Sequence, residues 1–392
     1  MAEGQTVRVL HLLKTALGAS WALNQMRELV KLGVDVQVAL PDGPLVTAYR
    51  EAGVTTHLVQ TDLPLRQPHR IPAHLRSVRA LVADVQPDII HSHFVGTTLA
   101  MRLALGKSHP TPRVFQVPGP LHLEHGFFRR AEMATAGPQD SWIGSCKWTC
   151  DCYRGQSIPE ERVYLAYYGQ VLKNSEVDAA AKGRLRRELG LSDDVRVVGM
   201  VAYMYAPKWY LGQTRGLKGH EDLIDALAVR LDAGDNVVGV FIGGAWNQAV
   251  DYETRVREYG RARLGDRAIF LGTRTQEEVA TLYPGIDVAV HPSHSENVGG
   301  ALESLLWAVP TIATNIGGFP DLVMDGETGL LVPPRNPVAL ADAIHQMLQN
   351  PGRAHEMAVK GQALARELFD VRQNARDVYD AYASILAQKG RC

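Results

Sequence analysis

The chain has 392 residues, 46% of them hydrophobic and 21% charged, with a formal net charge of −1. That length allows two domains with separate cores, and the composition is that of an ordinary globular protein. The charge balance lacks the basic footprint of a nucleic-acid binder. No apolar run approaches a membrane span, and residues 1–6 lack both the basic and the apolar parts of a secretory signal. A cytoplasmic protein with no nucleic-acid partner is therefore expected.

In chain order, the apolar run over residues 7–13 predicts a first strand. A turn at Gly18, Ala19 and Ser20 leads into an amphipathic helix over 21–32, closed by Gly33. Residues 34–40 read as a second strand, ended by Pro41, Asp42, Gly43 and Pro44. A helix over 73–85 precedes a buried strand at 89–91, and further strands fall at 113–117 and 142–144. Residues 174–190 are polar, charged and helical, like a connector between lobes. A new series opens at 195–201 and continues through strands at 237–242, 268–271 and 288–290. This alternation argues for parallel sheets covered by helices, in two Rossmann-like lobes with a cleft between them.

The first turn, with the single glycine Gly18, lacks the three glycines of the dinucleotide fingerprint. Asp42 sits where an NAD enzyme places its ribose-binding acid, but Pro41 and Gly43 make it a turn residue. A dehydrogenase is thus the weaker enzyme class.

The most informative stretch comes after the strand at 288–290, where Pro292, Ser293, His294, Ser295, Glu296, Asn297, Val298, Gly299 and Gly300 open a helix. Its apolar stripe is Ala301, Leu302, Leu305 and Leu306. Such a helix start offers bare N–H groups and the positive end of a dipole to an anion. Glycine lets a phosphate approach, because no Cβ intervenes. Glu303, one turn inside, would repel a phosphate and suits a diol such as that of a ribose or hexose. An anion cradle beside a hydroxyl-reading acid describes a nucleotide-sugar site. A plain capped helix with solvated acids is the bland alternative.

The residues after this helix carry a resemblance: Val309-Pro310-Thr311-Ile312-Ala313-Thr314, then Gly317-Gly318-Phe319-Pro320, then Gly326-Glu327-Thr328-Gly329-Leu330-Leu331-Val332. With the helix start, they resemble the nucleotide-binding half of the retaining GT-B glycosyltransferases of family 4. The likeness is strong from about residue 195 onward and looser before it. It implies a GT-B fold, two Rossmann-like domains facing each other across a cleft. Residues 1–172 would bind acceptor, 173–364 would bind the nucleotide sugar, and a helix over about 365–386 within 365–392 would pack back on the first domain.

The resemblance also implies roles. The family carries two acids eight positions apart; counting back eight from Glu303 gives Ser295, whereas Glu296 is seven away. Either could take the first acid's place at the sugar hydroxyls, and Glu296 is favoured. Glu303 would read the ribose, with Asn297, Val298, Gly299 and Gly300 around the phosphate. Gly18 and Ala19 match the family's glycine loop, which faces the donor phosphates. Lys218 before Gly219 matches the family's phosphate-binding lysine, but Tyr203 stands where the arginine is expected. Arg215 is the candidate to supply that charge, ahead of Lys208. The family's sugar-touching histidine falls on Pro118-Gly119 here, which shifts the role to His122, ahead of His125. The implied activity is front-face transfer of a sugar from a UDP-sugar to a hydroxyl acceptor. It needs no cofactor and no metal.

The composition agrees about metal. Cys146, Cys150 and Cys152 lack a zinc spacing. Asp193 and Asp194 are adjacent rather than spaced as Asp-x-Asp. His91 and His93 sit at a strand end, where ligands bind in open sheets, though local hydrogen bonding explains them equally. Phe127, Phe128, Arg129 and Arg130 could meet an acceptor or, at a peripheral membrane contact, a lipid headgroup. A partly covered helix start is the other reading. Two rivals remain: an epimerase using His122, Glu124 and Asp151, and a non-catalytic nucleotide-sugar-binding protein.

Overall fold

The computed structural model describes residues 6–119, 121–172, 179–209 and 212–389. The reading of the N-terminal segment, Thr6 excepted, and the first part of the connector over 174–190 lie outside the described residues. The chain forms two compact units, Met1–Leu172 with Leu368–Cys392 and Lys173–Glu367.

The N-terminal unit holds strands β1 (Arg8–Leu12), β2 (Asp35–Leu40), β3 (Thr55–Leu58), β4 (Ile89–Ser92), β5 (Arg113–Gln116), β6 (Asp140–Gly144) and β7 (Val163–Leu165). They pair in the order β3-β2-β1-β4-β5-β6-β7, parallel throughout. β1 is buried along most of its length because helices cover both sheet faces. One face packs Val9, Val36 and Val38 against Ala22, Met26 and Leu29 of the helix Ser20–Lys31. The helix Val371–Lys389 adds Ala375, Val378, Tyr382 and Ile385 to that core. Each fully buried valine, leucine, isoleucine or methionine among them contributes roughly 1.5–3 kcal/mol.

The second unit holds β8 (Arg196–Val201), β9 (Val237–Ile242), β10 (Ala268–Gly272), β11 (Val288–His291), β12 (Thr311–Thr314) and β13 (Leu330–Val332). Their order is β10-β9-β8-β11-β12-β13, again parallel. The period of two along β8 sends Val198 and Met200 into one core and Val197 into the opposite one.

Two details differ from the sequence reading. Strands β3, β7, β12 and β13 are too short or too polar to stand out from periodicity. The helix expected over 365–386 is two helices, Pro351–Leu368 and Val371–Lys389. The break falls at Asp370, whose carboxylate accepts from the Arg372 N–H at 2.8 Å. Asp42, by contrast, is the turn residue expected, accepting from the Gly43 N–H at 2.8 Å.

Candidate functional site

In both sheets the strand order reverses direction beside the first strand, between β1 and β4 and between β8 and β11. Open parallel sheets bind ligands at the carboxyl ends of such strands. In the second unit a cavity of about 230 Å³ lies there. Met200, Val201, Ala202 and Tyr203 line it from the exit of β8, and His291, Ser293 and Glu296 from the exit of β11. Lys218, Tyr205, Gly299 and Gly300 complete the wall.

Two glycines let these loops meet. Gly219, at φ +74°, sits where a Cβ would run into the Pro292 carbonyl, and Gly317, at φ +49°, lies equally close to the Glu296 carbonyl. Both combine a left-handed backbone with a close approach that only glycine allows. The helix Gly299–Leu306 starts at the cavity without a side-chain cap on its first N–H groups. A Cβ at Gly299 would meet nothing within 4 Å, so the bare position leaves room rather than filling a packing need.

Lys218 and Glu296 form an ion pair across the cavity. The same carboxylate accepts from the Asn297 N–H at 3.1 Å through Oε1. The Glu296 carboxylate therefore sits between the cation and the helix start, where an incoming anion must displace it from Lys218. His291 donates to or accepts from Ser304 Oγ at 3.0 Å. Burial, aided by the Lys218 charge, lowers its pKa to about 3. It is neutral at physiological pH.

An aromatic group borders the cavity. Trp246 packs on Tyr203 at 5.2 Å and stacks on Tyr205 at 5.3 Å between ring centroids. The Lys218 ammonium lies 5.6 Å from the Tyr205 ring, a favourable cation–π placement. Tyr203 and Trp246 are both partly open to solvent.

The structure thus brings Lys218, Glu296, Gly299 and Gly300 together. Of the two candidates for the first acid position, Glu296 is on the wall, and Ser295 is buried away from it. Asn297 and Val298 support the helix start without lining the cavity. Glu303 also lies off the wall. Burial raises its pKa, opposed by hydrogen bonds with Gln276 and Tyr283.

Two residues need correction. Arg215 is not at the cavity, because its guanidinium is engaged by Asp222 at 2.5 Å and Asp225 at 2.8 Å. Its charge is already neutralised, and Asp222 holds His294 as well. His122 is buried in the N-terminal unit, hydrogen-bonded to Tyr153 Oη at 3.2 Å and to the Gly119 backbone. Burial lowers its pKa to about 4. Both ring nitrogens are occupied, so it is a structural histidine. Gly18, at φ +70°, and Ala19 form the turn before the helix Ser20–Lys31 in that same unit. Sequence reasoning missed His291, named Ser293 only within the stretch that opens the helix, and missed Tyr205. The signal that finds the first two is their place at the exit of a strand beside the order reversal.

Comparison with known proteins agrees with this geometry. The family model described as glycosyl transferases group 1 matches residues 209–363, and that described as glycosyltransferase family 4 matches residues 18–169. The chain belongs to the family 4, group 1 glycosyltransferases. A D-inositol 3-phosphate glycosyltransferase of Streptomyces bingchenggensis is 27% identical over 370 residues, covering 89% of this chain and 77% of the relative. One from Corynebacterium diphtheriae is 32% identical over 153 residues, 38% of this chain. That match spans just over a third, 36%, of the Corynebacterium protein's own length. Among solved structures, Anabaena Alr3699/HepE in complex with UDP superposes with a TM-score of 0.76 at 21% identity, covering 97% of this chain and all of that one. The fold of this family 4 member is GT-B.

Proposed function

We propose that the protein is a retaining glycosyltransferase that moves a sugar from a UDP-sugar to a hydroxyl acceptor, without a divalent ion at the diphosphate. The observation that carries this reading is the meeting of Lys218, Glu296 and the bare glycine start of the helix Gly299–Leu306 on one cavity at the β8/β11 exit. The Anabaena relative's complex with UDP supports a uridine nucleotide.

In this reading the diphosphate sits against the helix start and takes Lys218 from Glu296. Glu296, released, accepts from hydroxyls of the transferred sugar. Glu303, on the same helix but off the cavity wall, reads a ribose that extends beyond the cavity, exchanging its bonds with Gln276 and Tyr283 for the diol. As the glycosidic bond breaks, negative charge grows on the leaving phosphate, and Lys218 with the helix dipole stabilises it. The leaving oxygen takes the acceptor proton on the same face, so no side-chain nucleophile is required and the anomeric configuration is kept. Tyr203 and Trp246 give the mouth of the cavity an apolar ring face suited to a sugar. The acceptor belongs to the N-terminal unit, where Phe127 of the helix Gly126–Thr135 is 69% exposed beside Arg130. That pairing suits a hydroxyl acceptor or a peripheral lipid headgroup. No helix among the described residues is long and apolar enough to cross a membrane, and a cytoplasmic location is part of the proposal.

The test is UDP release from UDP-sugars with and without hydroxyl acceptors, then NMR of the product's anomeric centre. Acceptor-dependent release with retained configuration supports the reading. Inverted product, an epimerised sugar, or binding without turnover overturns it.

A further inference from the structure

The order reversal in the N-terminal sheet carries a group that the transferase reading does not use. The parallel register sets His11 of β1 directly beside His91 of β4. His93 comes two residues after His91 and therefore faces the same side. The three rings stack, with centroids 4.7, 5.2 and 4.2 Å apart for His11–His91, His11–His93 and His91–His93. All three residues are fully buried.

Their outer nitrogens are held by tyrosines. His91 Nδ1 is hydrogen-bonded to Tyr382 Oη at 2.5 Å, and His93 Nδ1 to Tyr168 Oη at 3.0 Å. Tyr382 Oη also lies 3.4 Å from His11 Nε2. The inner nitrogens are then His11 Nδ1, His91 Nε2 and His93 Nε2. The first and last meet at 2.9 Å. His91 Nε2 makes no well-formed hydrogen bond among the described residues; the Gln116 amide beside His91 accepts from Gln25 and donates to the Ala166 carbonyl. A fully buried polar atom left this way is a cost that native proteins rarely carry without a reason.

We infer that His11, His91 and His93 bind one zinc-class divalent cation through these three inner nitrogens. Ligand nitrogens of the three residues lie within 4.8 Å of one another, whereas tetrahedral coordination places them roughly 3.3 Å apart. The ring planes are within 28° of parallel, so the ion fans the rings open about their χ2 angles. Three neutral imidazoles favour zinc, copper, nickel or cobalt over magnesium or calcium. The proton shared between His11 and His93 moves to an outer nitrogen, facing Tyr382 or Tyr168, as the metal takes its place. The tyrosine hydroxyls then orient the ligands from behind, as outer partners do at metal–histidine sites. Every residue involved belongs to the N-terminal unit. The proposal does not depend on the donor cavity or on the transfer reaction.

The test strips the full-length protein with a chelator, then titrates it with Zn2+ by calorimetry and with Co2+ by visible absorption. One ion per chain is expected, with the intense bands of four-coordinate cobalt. Trp21 lies 5.6 Å from His93 and 4.3 Å from Tyr168 between ring centroids, so Co2+ should also quench its fluorescence, and Trp21→Phe should lose that share of the quench. Tyr382→Phe should weaken binding by about 10- to 100-fold, and His91→Gln should abolish it. No stoichiometric ion in the wild-type protein, or only six-coordinate cobalt, overturns the inference whether or not the variants fold. Unchanged affinity in folded His91→Gln does so too.

Discussion

Lys218→Ala removes the cation from the wall of the donor cavity. In the unliganded protein Lys218 is paired with Glu296, and their side chains are 18% and 11% exposed. Donor binding exchanges that carboxylate for a diphosphate, one anion for another, so the net ground-state gain from Lys218 is small. The gain grows when the glycosidic bond breaks and charge concentrates on the leaving phosphate. Removing a donor aimed at developing charge costs about 100- to 1,000-fold in kcat, or about 2.7–4 kcal/mol. The donor KM should move by less than about threefold. Stability should fall by about 1–2 kcal/mol, below the loss for a fully buried pair because water still reaches both groups. Steady-state kinetics over a range of UDP-sugar concentrations, with a thermal melt to show folding, measure all three quantities. A raised KM with unchanged kcat in a folded variant would refute the argument, because Lys218 would then serve ground-state binding alone.

The same geometry sets further outcomes. Glu296→Gln frees Lys218 and should tighten UDP binding while slowing transfer, a split that calorimetry and kinetics read together. Glu303→Ala should weaken UDP by at least about tenfold, since a charge-assisted hydrogen bond contributes about 1.5–3 kcal/mol, and 2′-deoxy-UDP should show a smaller loss. Gly299→Ala adds a Cβ where nothing stands within 4 Å, so the fold should melt no lower, yet phosphate-bearing ligands should bind less well; a melting loss with intact UDP binding would reverse that account. Mg2+ or Mn2+ added to chelator-stripped protein should change turnover by less than about twofold, well short of the tenfold that ~1.4 kcal/mol represents. His122, His220 and His291 have pKa values lowered by burial to about 4, about 4 and about 3. Their unfolded forms take up protons first as pH falls below about 6.5, so the stability they contribute is present above that pH. It should be lost progressively toward pH 4, with the melting temperature as the readout.

The second unit was the more legible half because its site is largely local in sequence. The exit of β11, the uncapped helix start and Glu296 fall within a dozen consecutive residues, so spacing alone placed them on one surface. Lys218 was legible only through the resemblance, which places a lysine before a glycine at this helix start; the structure adds that Gly219's left-handed backbone lets that loop press against Pro292. Tyr203 was noticed only as a departure from an expected arginine. Its partner Trp246 comes from the exit of β9, and nothing in a linear reading joins the two.

Arg215 shows why a basic residue near a glycine is weak evidence for an anion site. Asp222 and Asp225 are three residues apart on the helix His220–Asp232, and therefore share one helical face. That face meets the Arg215 guanidinium with two carboxylates before any ligand arrives. Counting acids at that spacing beside a candidate cation would have redirected the assignment from sequence alone. The histidine group fails the same test in the opposite sense. His11 and His91 are eighty residues apart, and only the parallel pairing of β1 with β4 makes them neighbours. A sequence fixes such a meeting through register, which depends on which strands pair. His91 and His93 could therefore be seen as a strand-end pair, while the third imidazole and the two tyrosines behind them could not. The difference between Lys218 and Arg215 is then one of remaining partners: the first faces a space that a ligand can enter, and the second is already neutralised within the protein.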